Sequence, residues 1–495
     1  METLAVHTRT LEDLVFDNSF ARLPGVFFER REPTGIPDPH LIAYNPDAAA
    51  LIDLRPGEEQ RPQFVQLASG NALLRGMEPV AAIYAGHQFG TFVAQLGDGR
   101  AILLGEVKNA ANQHWELQLK GSGQTAFSRF ADGRAVLRST VREYLCSEAM
   151  HGLGIPTTRA LAMTGSAESV VRETAETAAV LVCMSPTFVR FGSFELFASR
   201  GQTTELQTLA DYVIGRFFPT LPPGADRYAE FFGDVVTRTA LLMAAWQSVG
   251  FAHGVMNTDN FSIIGLTLDY GPFGFLDAYE PGFICNHTDA GGRYAFDQQP
   301  TVGLWNCYAL ARALMPLVPK TELEARLALY EPAYRAAYME RMQAKLGLTA
   351  ASDGDIELLV DLLQLLADAR ADYTRFFRAL CDIDVTSSAA DDTAAVMFAD
   401  RDRWYDWQSR YRGRLARDDR PEAVRGAAKR AVNPRIVLRN YLAQTAIERA
   451  QVGDYTEIGR LHAALRDPFS DPRSDDGYSG LPPAWANEIS VSCSS

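Results

Sequence analysis

Two stretches of this 495-residue chain carry side chains whose types and spacing suit chemistry on a phosphate ester. The first, His253 to Tyr279, reads HGVMNTDNFSIIGLTLDYGPFGFLDAY. Asn257, Asp259 and Asn260 precede its apolar run, and Asp269-Tyr270-Gly271 follows it. A hard cation such as Mg²⁺ takes oxygen ligands, commonly one or two carboxylates or amides together with phosphate oxygens. Asn260 and Asp269, at the two ends of what reads as a short hairpin, supply such a pair. In kinase-like folds an Asn of the catalytic loop and the Asp of an Asp-Phe-Gly motif fill this role. Taken alone, Asn257-Thr258-Asp259-Asn260 reads equally well as a turn rich in turn formers.

The second stretch supports the chemical reading through the order of its parts. TFVAQL alternates apolar and polar residues, Gly97-Asp98-Gly99 reads as a tight turn, and RAILLGEV reads as the returning strand. A third strand, HWELQLKG, ends in Lys120, and after two polar Gly turns comes a helical segment bearing Glu143. Strand, Gly turn, strand, strand with Lys, helix with Glu is the element order of a kinase N-lobe, where the Lys and Glu pair. Each piece alone is weak, and the ordered set is the signal. RALAMT, SVVRE and AAVLVCM read as further strands, and PTFVRFGSFE crosses out of the sheet. RYAEFFGDVVTRTALLMAAWQSVG carries a 3.6-residue apolar stripe and delivers the chain into His253.

These elements predict an α+β fold of protein-kinase-like, two-lobed type, with a small β-rich N-lobe and a large helical C-lobe. The expected divisions are an N-terminal extension (1–85), the N-lobe (86–200), the C-lobe with the catalytic and metal loops (201–466) and a tail (467–495). The mixed-sign run RYRGRLARDDRPEAVRGAAKR reads as a solvated helical face, and the tail as a surface segment.

In a phosphotransferase of this shape the proton-accepting Asp stands five positions before the metal Asn. Here that position is Val255, which accepts no proton. Either the protein binds nucleotide without catalysis, as a pseudokinase scaffold, or it runs different chemistry on the same nucleotide, with Asp259 as a displaced general base. Cations are dense around the Gly turns: Arg100, Lys120, Arg129, Arg134, Arg138 and later Arg190. Attack at the α-phosphorus would release pyrophosphate, a leaving group that needs cationic clamps.

A net charge of −14 argues against a nucleic-acid or membrane-surface binder. No apolar run approaches a membrane span, and METLAVHTRTLEDL resembles neither a secretion signal nor a transit peptide. A cytoplasmic protein is therefore expected, and a monomer. The six cysteines contain no C-x-x-C pair, so neither a zinc site nor a disulfide scaffold is signalled.

The blocks AGHQFGTFVAQLGDGRAILLGE, LQLKGSGQTAFSRFADGRAVLRSTVREYL, FVRFGSFE, HGVMNTDNFSIIGLTLDYGPFGFLDAY, YAFDQQP and the terminal VSCSS resemble those of the selenoprotein O family. Its members are protein adenylyltransferases of kinase fold that move AMP from ATP to Ser, Thr or Tyr hydroxyls. The resemblance implies that Gly97, Gly99, Arg100, Lys120, Asp132, Gly133, Arg190 and Asp269 contact ATP. It implies Asp259 as proton acceptor, Glu143 as the acid positioning Lys120, and Asn260 and Asp269 as Mg²⁺ ligands. UMP transfer with Mn²⁺ fits the same residues. The chain departs from the family at Cys183, where an ATP-contacting arginine is usual. Cys493 occupies the place of the eukaryotic selenocysteine, and a reversible Cys285–Cys493 disulfide damping activity is the expectation that follows from the resemblance.

Overall fold

The computed structural model describes residues 8–224, 226–385, 392–472 and 476–492. The chain is mixed α/β, with an antiparallel sheet in its first part and helices in its C-terminal part. Strands β1 (Phe28–Arg30), β2 (His40–Tyr44), β3 (Val80–Gln88), β4 (Thr91–Gly97), β5 (Ala101–Lys108), β6 (His114–Lys120), β7 (Ala135–Val136), β8 (Arg159–Val171) and β9 (Ala175–Ser185) form one sheet. Its order is β1-β3-β5-β6-β9-β8-β2, with β4 also on β3 and β7 on β9. Residues ahead of position 86 thus contribute β1, β2 and most of β3.

Alternation along the strands gives the sheet two buried faces. Ile102 and Leu104 of β5, Leu117 and Leu119 of β6, and Val180, Val182 and Met184 of β9 pack on N-terminal residues such as Leu11, Ile36 and Phe64. Leu103, Leu181 and Cys183 point the other way, into the core shared with the Glu143 helix. Lys120 follows Leu119 on β6, so it emerges on that second face.

Three local expectations are corrected. Residues 91–96 and 100–107 do not pair as a hairpin. Both run antiparallel to β3, which meets β4 from Ile83–Gly97 to Gln88–Thr91 and β5 at Val80–Leu103. The chain therefore keeps its direction through Asp98-Gly99, and the reversal lies earlier, at Phe89-Gly90. There φ is +50° and +83°, the mirror-image two-residue turn that matches the twist of a hairpin. RALAMT and SVVRE belong to one strand, β8, which reaches Val171 through irregularities in its pairing with β9. The run 261–268 makes no hairpin either: it forms single bridges, Ser262 to Arg190 and Thr267 to Thr157.

Two short helices, α1 (Pro46–Ala50) and α2 (Pro62–Ala68), precede α3 (Leu137–Gly152), which carries Glu143. After β9 come α4 (Phe191–Ser199), unexpected from the sequence, then α5 (Thr203–Phe217) and the long α6 (Arg227–Val249). The stripe of α6 is buried, and Gly250 at φ +71° ends the helix. Next, β10 (Phe251–Ala252) pairs with β11 (Gly274–Phe275), closing the ends of the segment that holds Asn260 and Asp269. The helical part continues with α7 (Gln299–Leu314), α8 (Lys320–Leu327), α9 (Tyr330–Lys345), α10 (Asp355–Ala369), α11 (Tyr373–Ala379) and α12 (Asp392–Ala395). It ends with α13 (Arg401–Leu415), α14 (Glu422–Arg430), α15 (Asn440–Gln451) and α16 (Thr456–Arg466).

The mixed-sign run is not simply a solvated face. Arg425 and Lys429 are buried, Lys429 donating to the carbonyls of Leu380 and Ile383. The tail is anchored too: Tyr478 is buried and bonds Glu457, and Arg435 forks onto Asp476. Among the described residues no helix is long and apolar enough to cross a membrane.

Candidate active site

A cavity of about 700 Å³ opens between the second face of the sheet and the loops after β10. Its wall includes Gly97, Gly99, Arg100, Lys120, Asp132, Gly133, Glu143, Arg190, Asp259, Asn260 and Asp269, so the residues singled out in the sequence come together. Of the cations around the Gly turns, Arg129 and Arg134 also line it, whereas Arg138 turns away to pair with Glu176.

Lys120 Nζ is bonded to Glu143 Oε1 of α3 and lies 2.6 Å from Asp269 Oδ1. Arg190 Nη1 reaches the other oxygen of Asp269 at 2.5 Å and donates to the Asp259 carbonyl at 2.7 Å. Its guanidinium sits over the Tyr84 ring. Burial works against the charges of Asp269, Lys120 and Arg190, yet the mutual pairing wins. Arg190 and Lys120 hold the Asp269 carboxyl far below the usual carboxylate range, and Asp269 and Glu143 raise Lys120. Asp269 takes a left-handed φ of +59°, a conformation that costs energy outside glycine.

The side formed by residues 253–260 differs. His253 is buried, stacked on Trp246, with Nε2 donating to the Leu268 carbonyl at 3.1 Å and Nδ1 accepting from Val255 N. Asn260 spends its Nδ2 on the Val255 carbonyl, which leaves Oδ1 as its acceptor. Asp259 accepts from Gln88 Nε2 at 3.2 Å through Oδ2, while its buried Oδ1 has no hydrogen-bond partner. Burial pushes this carboxyl up to about 6, against the pull of Gln88 and Arg190. Gly86 of β3 must lack a side chain here, because a Cβ would lie 2.5 Å from Asp259 Oδ1.

The donor set suits a hard cation. Asp269 offers a fully ionised carboxylate and Asn260 an amide oxygen, both on the cavity wall. Among the described residues no group of three or more His, Cys, Asp or Glu could cage a metal alone.

Gln88 and Arg172 were not singled out from the sequence, and Asn257 was named there without a role. Gln88 contacts Asp259, and Arg172 forks onto Asp132 at 2.8 Å. Asn257 Oδ1 accepts from both Phe89 N and the Tyr294 hydroxyl. The His-Gln-Phe-Gly run at 87–90 was the available signal for the first and last of these. Cys183 lies on β9 between Gln118 and Ala160, buried below the cavity wall, where burial pushes its thiol up. Cys285 is buried with Sγ 3.5 Å from the Ala252 carbonyl, and next to it His287 N bonds the Val491 carbonyl of the tail. Cys493 lies outside the described residues, and so does any pairing with it.

Comparison with known proteins places the chain in a family. The family described as protein adenylyltransferase SelO matches residues 10–466. The protein nucleotidyltransferase YdiU of Thiobacillus denitrificans is 54% identical over 487 residues, covering 98% of this chain and 100% of the relative. The YdiU protein of Myxococcus xanthus is 55% identical over 486 residues with the same coverage. With a family match over most of its length and relatives aligned end to end at this identity, the chain belongs to the SelO family of protein nucleotidyltransferases.

Proposed function

We propose that the cavity binds ATP with Mg²⁺ and transfers AMP to Ser, Thr or Tyr hydroxyls of proteins, including this one, in a kinase-like two-lobed framework. The divisions at 85, 200 and 466 belong to this proposal. The observation that carries it is the pair of unlike carboxylates on one wall: Asp269 locked between Lys120 and Arg190, and Asp259 with a bare oxygen beside it.

In this reading the acceptor oxygen attacks the α-phosphorus, the bond from that phosphorus to the bridging oxygen breaks, and pyrophosphate departs. The hydroxyl proton goes to Asp259 Oδ1. Lys120, Arg100 and Arg190 steady the phosphates, with Glu143 fixing Lys120, while Gly97, Gly99, Asp132 and Gly133 shape the nucleotide's bed. Asn260 and Asp269 would hold Mg²⁺, which when bound offsets phosphate charge. Val255 favours this reading over γ-phosphoryl transfer, since no carboxylate stands at that position.

Incubation with ATP labelled at the α- or γ-phosphate tests it. Protein label from the α position, with none from γ, is the expected outcome. Label from γ alone would make the protein a phosphotransferase, and label from neither would make it a nucleotide-binding scaffold.

A further inference from the structure

Arg142 and Glu143 are consecutive on α3, so their side chains leave the helix about 100° apart. Glu143 meets Lys120, and Arg142 turns inward to a different set of partners. Its Nη2 donates to the Phe273 carbonyl at 2.9 Å, and both Nη atoms lie 3.3 Å from Asn440 Oδ1 at the start of α15. The guanidinium carbon stands 4.3 Å from the centroid of the Phe273 ring. Arg142 is buried, and its Nε has no hydrogen-bond partner. A buried cation with an unused donor is a poor device for stability alone.

What it joins is informative. Phe273 lies just beyond Asp269 on the same loop, so one side chain connects the Glu143 helix, the Asp269 loop and α15. The two C-terminal helices α15 and α16 flank α3. Tyr144 OH lies 3.4 Å from His462 Nδ1, their rings meet edge to face, and the Leu465 carbonyl presses so close to Gly152 that no side chain would fit.

We propose that Arg142 is a positioning residue which holds α3 in the register where Glu143 meets Lys120, with α15 and α16 as a built-in brace for that helix. A strand Lys and helix Glu are useful only when the helix is seated, and in kinases that seating is a controlled step. Here the chain's own C-terminal helices provide it. The inference rests on the reading above in which Lys120, Glu143 and Asp269 hold ATP.

The test uses the full-length protein and two readouts, α-label incorporation and hydrogen exchange over residues 138–152. Arg142→Met is expected to lower kcat about 30-fold with KM for ATP changed less than about threefold, because Arg190 still grips the nucleotide while Lys120 is misplaced. Exchange in α3 should rise at least about tenfold, with α6 unchanged. Arg142→Lys should recover part of kcat, and Asn440→Ala should move both readouts in the same direction by about threefold. Should Arg142→Met fail to fold, Asn440→Ala carries the test. Unchanged α3 exchange, or raised exchange with wild-type kcat, overturns the brace. Full transfer by Lys120→Ala would instead overturn the reading of the site, and α3 exchange in the Arg142 variants would still decide whether the brace exists.

Discussion

Asp269 and Asp259 line the same cavity under opposite electrostatic conditions. Asp269 has a cation on each oxygen, which holds its carboxyl far below the usual carboxylate range. Asp259 has one amide contact, one bare oxygen and a carboxyl raised to about 6. The first arrangement suits a permanent anion in a binding site; the second suits a group that must gain and lose a proton. In the proposed reaction the two environments would separate holding from reacting, and the difference comes from neighbours rather than residue type.

The largest effect should come from the locked side. Asp269→Ala removes the partner of two buried cations, and both ATP binding and transfer should fall below detection, read by calorimetry and α-label incorporation. Asp259→Asn should lower transfer by about 10²–10⁴-fold, the usual worth of a general base, with ATP affinity nearly unchanged. Equal losses of affinity in the two variants would break the division. Gly86→Ala sharpens it by steric means: a Cβ there meets Asp259 Oδ1, and about tenfold slower transfer at unchanged ATP affinity is expected.

A separate effect, on stability, belongs to a third buried carboxylate, on the strand that carries Lys120. Glu116 of β6 is buried, bonded to Phe188 N but to no cation, and burial raises it from 4.5 to about 8. Native protein therefore keeps this proton where unfolded chain has released it, so stability declines as pH rises from about 4.5 to 8. By the usual conversion of pKa to free energy the decline is on the order of 5 kcal/mol. Glu116→Gln should flatten that slope in urea melts while leaving transfer intact.

The chemistry was more legible in the sequence than the connections. Lys120, Glu143, Asn260 and Asp269 declared themselves because their types and order follow from what a phosphate and a cation require. The strands around them were recognisable by alternation, which is a local property. Which strand lies beside which is not local. β3 hid in a stretch with no chemical motif, so the bend at Gly97-Asp98-Gly99 passed for the hairpin turn, and the true reversal at Phe89-Gly90 carried a bulky residue at positive φ. Arg142 and Arg425 were equally opaque, since nothing in a charged side chain's neighbours announces that it is buried.

The Phe89-Gly90 tip has a mechanical consequence. His87 N bonds Thr258 Oγ1, Gln88 bonds Asp259, and Phe89 N bonds Asn257 and Tyr294, so three successive residues at the end of one hairpin are tied to the 257–259 loop and to Tyr294. Swinging the sheet away would break all of these bonds together, at about 1 kcal/mol each. In the proposed reaction an incoming hydroxyl would pass a doorframe already in place, and the shape of that opening would select what is modified.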